Sequence, residues 1–241
     1  MKLATQLLAF LFSTSIPFCL GSIGRFDFYV FAMSYQPEFC FGHRSYKYEG
    51  CEHPRNEWRG DLTIHGLWPQ YANGTWPASC SNEPLDIVTL YDLGVDRFER
   101  YWPNVKALWG EPGFSDFWSH EWIKHGTCSG LDQEAYFKTA LEHVVLTPEL
   151  VREKYGHQVT KNELTNAYSL FPNVIFVCEH GRYLSEVRVC LGKSSDGSVG
   201  NRMACPDAML SEGNCEDVIF VSKFYSDHTV IDLEHTVNLL V

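Results

Sequence analysis

Hydrophobic and polar positions change period twice along the chain. Residues 26–34 are rich in aromatics and Val and predict a strand. Residues 38–60 are polar and irregular and predict a loop that holds two cysteines. Residues 61–66 predict a short strand ended by Trp68-Pro69. The middle of the chain predicts helices. They cover 85–100, interrupted by Gly94, and 114–126, with Ser115 as cap and Gly126 as stop. They continue at 133–145, capped by Asp132, and at 148–155, opened by Thr147-Pro148 and ended by Gly156. Thr160-Lys161-Asn162-Glu163 has the spacing of a capping box and opens another helix. The last third predicts strands at 173–178, at 183–191 after a His180-Gly181 turn, and at 218–224. Helices between two groups of strands predict an α+β domain, a central antiparallel β-sheet flanked by several helices.

The N-terminal stretch does not join this pattern. Met1-Lys2-Leu3 is followed by an apolar run over 7–20 and a small-residue exit at Cys19-Leu20-Gly21, the parts of a secretory signal peptide over 1–21. The run is shorter and more polar than the ~20 residues a spanning helix needs. No later segment is long and apolar enough, so no membrane association is expected. Residues 22–241 then form a single domain, with no linker, repeat or low-complexity run to divide it. With 45% apolar and 15% aromatic residues, the chain can bury a core.

Of nine cysteines, Cys19 leaves with the leader. Cys40, Cys51, Cys80, Cys128, Cys178, Cys190, Cys205 and Cys215 remain, an even set that reads as four disulfides with 105 pairings open. No Cys-x-x-Cys pair marks a zinc ribbon or thioredoxin-like site. Asn73-Gly74-Thr75 is a glycosylation sequon in a chain expected to enter the secretory pathway, and so to be secreted or vacuolar/lysosomal.

The net charge of −11 at pH 7 argues against tight nonspecific binding of nucleic acid there. Protonating all ten histidines would bring it near neutrality, which predicts better function toward a polyanion in acid.

The densest chemistry lies at Phe117-Trp118-Ser119-His120-Glu121-Trp122-Ile123-Lys124-His125. On a regular helix, with His120 at zero, Lys124 falls at ~40°, Phe117 at ~60°, Glu121 at ~100° and His125 at ~140°. Trp122 and Ile123 then point away, toward the core, at ~200° and ~300°. The same pattern fits the solvated face of any amphipathic helix. It also starts like a zinc-protease motif, but that motif needs its second His at i+4, where Lys124 stands. The second segment is Leu62-Thr63-Ile64-His65-Gly66-Leu67-Trp68-Pro69-Gln70, where Gly66 and Pro69 predict a strand end and a tight turn around His65. His43, His53, His143, His157, His180, His228 and His235 have no motif around them and read as surface or structural.

Together these segments resemble the two active-site motifs of the ribonuclease T2 family, His-Gly-Leu-Trp-Pro and His-Glu-Trp-x-Lys-His-Gly-Thr-Cys. The resemblance implies an endoribonuclease that cleaves single-stranded RNA through a 2′,3′-cyclic phosphate, needs no cofactor or metal and acts as a monomer without an obligate protein partner. It implies His125 as general base and His65 as general acid, His120 on the phosphate, and Lys124 with Glu121 stabilising the charge on phosphorus. Trp68 and Trp76 would stack on the first base and Phe117 would touch the second. Gln70 stands where the family usually has Asp or Asn to bind the base, and Ser34-Tyr35 where Gln-Trp is usual. The implied disulfides are Cys40–Cys51, Cys80–Cys128, Cys178–Cys215 and Cys190–Cys205. Three alternatives stay open: an RNA-binding or storage protein on this fold, a defence or mating protein that uses the same activity, and a metal hydrolase.

Overall fold

The computed structural model describes residues 23–42 and 47–227. The leader, His43, His228, His235 and the last residues from Asn238 lie outside the described residues. Among the described residues, seven strands form one sheet: β1 Phe28–Ser34, β2 Thr63–Gln70, β3 Gln158–Thr160, β4 Ile175–Glu179, β5 Tyr183–Lys193, β6 Val199–Met203 and β7 Val218–Phe220. The path runs β2-β1-β5-β7-β3, and β4 and β6 also pair with β5. All pairings are antiparallel except β5 with β7, which meet in parallel at Tyr183 and Phe220.

β1 is buried on both faces, as its apolar run implies. Tyr29, Phe31 and Met33 enter the main core, while Phe28, Val30 and Ala32 pack with Trp68 and Met209 in a smaller one. The main core also receives Phe98, Trp102, Trp118, Trp122, Tyr136 and Phe137 from the helices. Those helices are α3 Ile87–Leu93 and α4 Val95–Tyr101, which part at Gly94 with φ 99°, then α5 Asp116–Glu121, α6 Thr127–Ser129 and α7 Gln133–Glu142. α8 Glu149–Glu153 and α9 Lys161–Ala167 follow, the latter with the predicted capping box at Thr160 and Glu163. Four disulfides join Cys40 to Cys51, Cys80 to Cys128, Cys178 to Cys215 and Cys190 to Cys205, the pairs the resemblance implies.

Several expectations need correction. The segment expected as a loop over 38–60 carries α1 Gln36–Gly42, α2 Glu49–Glu52 and a 3₁₀ turn at Asn56–Trp58. A satellite core of Cys40, Cys51, Trp58, Val105 and Phe224 packs these short pieces, so distant residues stabilise what local propensity does not. The strand expected to stop before Trp68-Pro69 continues through both to Gln70. Pro69 is tolerated because, among the described residues, β2 pairs with β1 alone. The helix expected to stop at Gly126 runs on to Ser129 and ends at Gly130, φ 80°. The strand expected over 218–224 is only three residues long, and β3, β6 and α10 Asp207–Leu210 appear where no element was expected. Among the described residues, no helix is long and apolar enough to cross a membrane.

Candidate active site

His65 owes its position to an irregularity of β2. Ala32 pairs with Gly66 and Met33 with Ile64, so His65 has no partner across the ladder and forms a β-bulge. A bulge bends the strand and re-aims the extra side chain. Buried aromatics pin the backbone on both sides: Trp102 Nε1 donates to the His65 carbonyl at 2.9 Å, and Tyr136 Oη to that of Leu67 at 2.9 Å. Gly66 is required by close approach rather than by a turn. A Cβ there would overlap both Glu121 Oε2 and Trp68 Nε1.

Those two atoms form the hydrogen bond that joins strand to helix, Trp68 Nε1 donating to Glu121 Oε2 at 2.8 Å. The helix is not regular. After α5 the chain makes a π turn over Trp122–Gly126 before α6. Such a turn inserts one residue into the α-helical ladder and occurs frequently at functional sites. It is held by packing and by covalent bonding. A Cβ on Gly126 would overlap the Trp122 ring, Ser79 N donates to the Lys124 carbonyl at 2.9 Å, and Cys80 is bonded to Cys128. The loop after β2 is thereby tied to the helix that carries His120, Glu121, Lys124 and His125.

The helix does not divide into a polar face and a core face. Glu121 and His125 are buried with Trp118 and Trp122, while His120 and Ile123 are exposed. The expectation that Ile123 faces the core is therefore corrected. The buried arc centres on the Glu121, Trp122 and His125 side, so these polar groups are drawn from the core side of the helix.

Trp68 sits between the two histidines. Its ring stacks on His125 at 5.2 Å between centroids and 27° between planes, and meets His65 edge-on at 5.0 Å. The Arg188 guanidinium lies 5.3 Å from the same indole. His65 Nδ1 is hydrogen-bonded to Glu186 Oε1, and its Nε2 lies 3.8 Å from Glu121 Oε1.

The two imidazoles titrate in opposite directions. Burial pulls the His65 pKa down, but the Glu186 hydrogen bond and the Glu186 and Glu121 charges outweigh it and leave it above the ordinary imidazole value, with Arg188 opposing. Burial, with the cations Lys124, His65 and His120 around it, pushes His125 down to about 2. His120 is lowered as well, by desolvation and then by Lys124, His65 and Lys106. Burial holds Glu121 above the usual carboxylate range, although His65, the Trp68 hydrogen bond and Lys124 pull it back. For Glu186 the order reverses: burial raises it, and His65 and Arg188 more than offset that, so it stays low.

His65, Phe117, His120 and Glu121 line a cavity of about 590 Å³ together with Gln36, Asn104, Lys106 and Asp116. The Phe117 ring is 5.8 Å from that of His65. Other residues read as substrate contacts stand differently. Gln70 is buried with its Oε1 unpartnered, and Trp76 is 51% exposed. Neither lines this cavity. Asn73 is exposed at a turn, its Oδ1 accepting from Thr75 N and Oγ1. Among the described residues, the set with ligand atoms close enough to share a metal ion is Glu49, Glu52 and His53, all exposed and outside this cluster.

Sequence reasoning missed Glu186 and Arg188. The available signal was a Glu and an Arg two positions apart on a strand whose neighbours are apolar, in line with Cys190. It did not say which histidine they would face.

Intracellular ribonuclease LX of Solanum lycopersicum is 43% identical over 118 residues, 48% of this chain and 47% of that protein. Ribonuclease 3 of Arabidopsis thaliana is 28% identical over 216 residues, 83% of this chain and 90% of that protein. The matches to the tomato ribonucleases LX and LE and to ribonuclease 1 of Arabidopsis thaliana span about half the length of each relative. Among solved structures, RNase NT in complex with 5′-AMP aligns with a TM-score of 0.62 and 27% identity, over 83% of this chain and 99% of that one. Human RNase T2 shares the fold, with a TM-score of 0.59, 23% identity and coverage of 82% and 99%. The Ribonuclease T2 family model matches residues 26–205, and the chain belongs to that family.

Proposed function

We propose that the protein is an endoribonuclease that cleaves single-stranded RNA by transphosphorylation, using His125 as general base and His65 as general acid. The observation that carries this reading is the contrast between two imidazoles on one indole: His65 lies among carboxylates and His125 among cations. Environments that push two titratable groups apart sort them into acid and base. Between the two pKa values His65 holds its proton while His125 is free to accept one.

His125 takes the proton of the ribose 2′-OH, and that oxygen attacks the adjacent phosphorus. The P–O5′ bond breaks, and His65 Nε2 protonates the departing 5′-oxygen. The products are a 2′,3′-cyclic phosphate and a free 5′-hydroxyl. The two proton transfers contribute ~10²–10⁴-fold each. His120 binds the phosphate, and Lys124 supplies positive charge to it, an electrostatic role toward the pentavalent transition state. Glu121, fixed by the Trp68 hydrogen bond, acts with Lys124 at the phosphorus. The cavity beside His65, Phe117 and His120 has room for a nucleotide of the substrate, with Phe117 as a stacking surface.

The reading includes a monomer exported through the secretory pathway, in keeping with four disulfides and the leader expected at 1–21. The test is incubation of the purified protein with single-stranded RNA and the matching DNA at pH 5 in excess EDTA, with the product ends identified. RNA-only cleavage leaving 2′,3′-cyclic phosphate is expected. Cleavage of the DNA, or cleavage abolished by EDTA, contradicts the mechanism.

A further inference from the structure

The residue that holds the acid in place comes from a strand that neither motif contains. Glu186 lies on β5, two strands away from His65, with β1 between them. At the crossing, β1 carries small side chains: Ser34 is in register with Glu186, and Ala32 with Arg188 on one side and Gly66 on the other. The bulge at His65 and the small residues of β1 together let an imidazole and a carboxylate meet across the intervening strand.

Glu186 is buried, and both of its oxygens are used. Oε1 takes His65 Nδ1, and Oε2 takes Arg188 Nε at 2.7 Å and Nη2 at 2.6 Å. Arg188 is held in turn by Glu212 at 2.5 Å, just after α10, and lies over the Trp68 ring. A buried carboxylate needs such partners to stay ionised. The chain His65–Glu186–Arg188–Glu212 therefore runs without a gap from the site to the residues just after α10.

We propose that Glu186 is the positioning residue of the site, its carboxylate holding the His65 Nδ1 proton so that Nε2 always faces the departing oxygen. This rests on the reading of His65 as the acid. The Nδ1 proton stays with His65 throughout, and only the Nε2 proton is delivered and regained. Glu186 does not touch substrate. The charged and titratable groups that face His65 are Glu186 and Arg188 from β5 and Glu121, His120 and His125 from the catalytic helix, and Lys124 charges the same cluster. Among them, Glu186 is the one bonded to the ring.

The test compares E186Q and H65A with the wild-type chain across pH 4–9. Glutamine keeps an acceptor for Nδ1 but removes the charge. E186Q should lower kcat by roughly 10–100-fold with little change in KM, and the basic limb of its pH profile should move to lower pH, because His65 loses its proton more easily. A folded E186Q with the wild-type basic limb overturns the proposal, whatever its kcat, since a merely structural role would not move the limb. H65A keeps the two ideas apart. Near-wild-type cleavage by H65A overturns the acid assignment and this inference with it, whereas an inactive H65A beside an unshifted E186Q overturns the role of Glu186 alone. Where E186Q does not fold, the ¹⁵N shifts of His65 in the wild-type chain decide. A neutral ring protonated on Nδ1 is the expected result, and one protonated on Nε2 overturns the proposal.

Discussion

The two walls of the site use the same side chain to opposite ends. The sheet wall places His65 at a β-bulge and bonds it to Glu186, and Glu121 reaches within 3.8 Å of it from the helix wall. The helix wall places His125 in a π turn, buried against Trp68, with Lys124 beside it and no hydrogen-bond partner on its Nδ1 among the described residues. Each imidazole is set by an irregularity in an otherwise regular element. Under the proposed mechanism, neighbours rather than residue type decide which imidazole is the acid and which the base. Burial alone would lower both, and the carboxylates reverse its effect on one side only.

The largest break in this comparison is to remove either ring. H65A and H125A should each lose ~10²–10⁴-fold in kcat while keeping the wild-type far-UV circular dichroism. An active, folded variant of either kind would dissolve the assignment of that wall. Next comes G66A, which forces a methyl group into the Trp68–Glu121 hydrogen bond that joins the walls. Overpacking of this kind costs about 1–3 kcal/mol, so both the thermal midpoint and kcat should fall. Unchanged melting would mean that the walls are not locked through that bond.

The smaller effects sharpen the contrast. E121Q removes a negative charge that raises the His65 pKa, so activity should fall away at lower pH than in the wild type. K124Q removes a positive charge that lowers the His125 pKa. Its base is then protonated at higher pH, and the acid limb should move up. The two variants should therefore narrow the pH profile from opposite sides. Limbs moving in the same direction in both would count against separate surroundings for the two rings.

Much of this is legible in the sequence. The aromatic- and Val-rich run over 26–34 announced a strand, the Thr160 capping box announced α9, and the two motifs named His65, His120, Glu121, Lys124 and His125. What escaped has physical reasons. Regular helical angles assume 3.6 residues per turn, and the π turn breaks that assumption between Glu121 and Thr127. Gly66 and Pro69 read as punctuation, yet both lie inside β2, one for close approach and one because the strand is an edge. Short elements such as β3, β6 and α10 are held by pairing and packing with distant residues, so no local window contains their cause. Glu186 escaped for the same reason. Its partner is fixed by the strand order β2-β1-β5, which only the folded chain provides.

The most direct test of the central claim is an NMR titration of the His65 and His125 ring protons in the wild-type chain, assigned with the two alanine variants. The account predicts that His65 titrates above an ordinary imidazole and His125 far below one, with a window between them in which one ring is charged and the other neutral. Two histidines titrating together near the ordinary value, or in the reverse order, would contradict it.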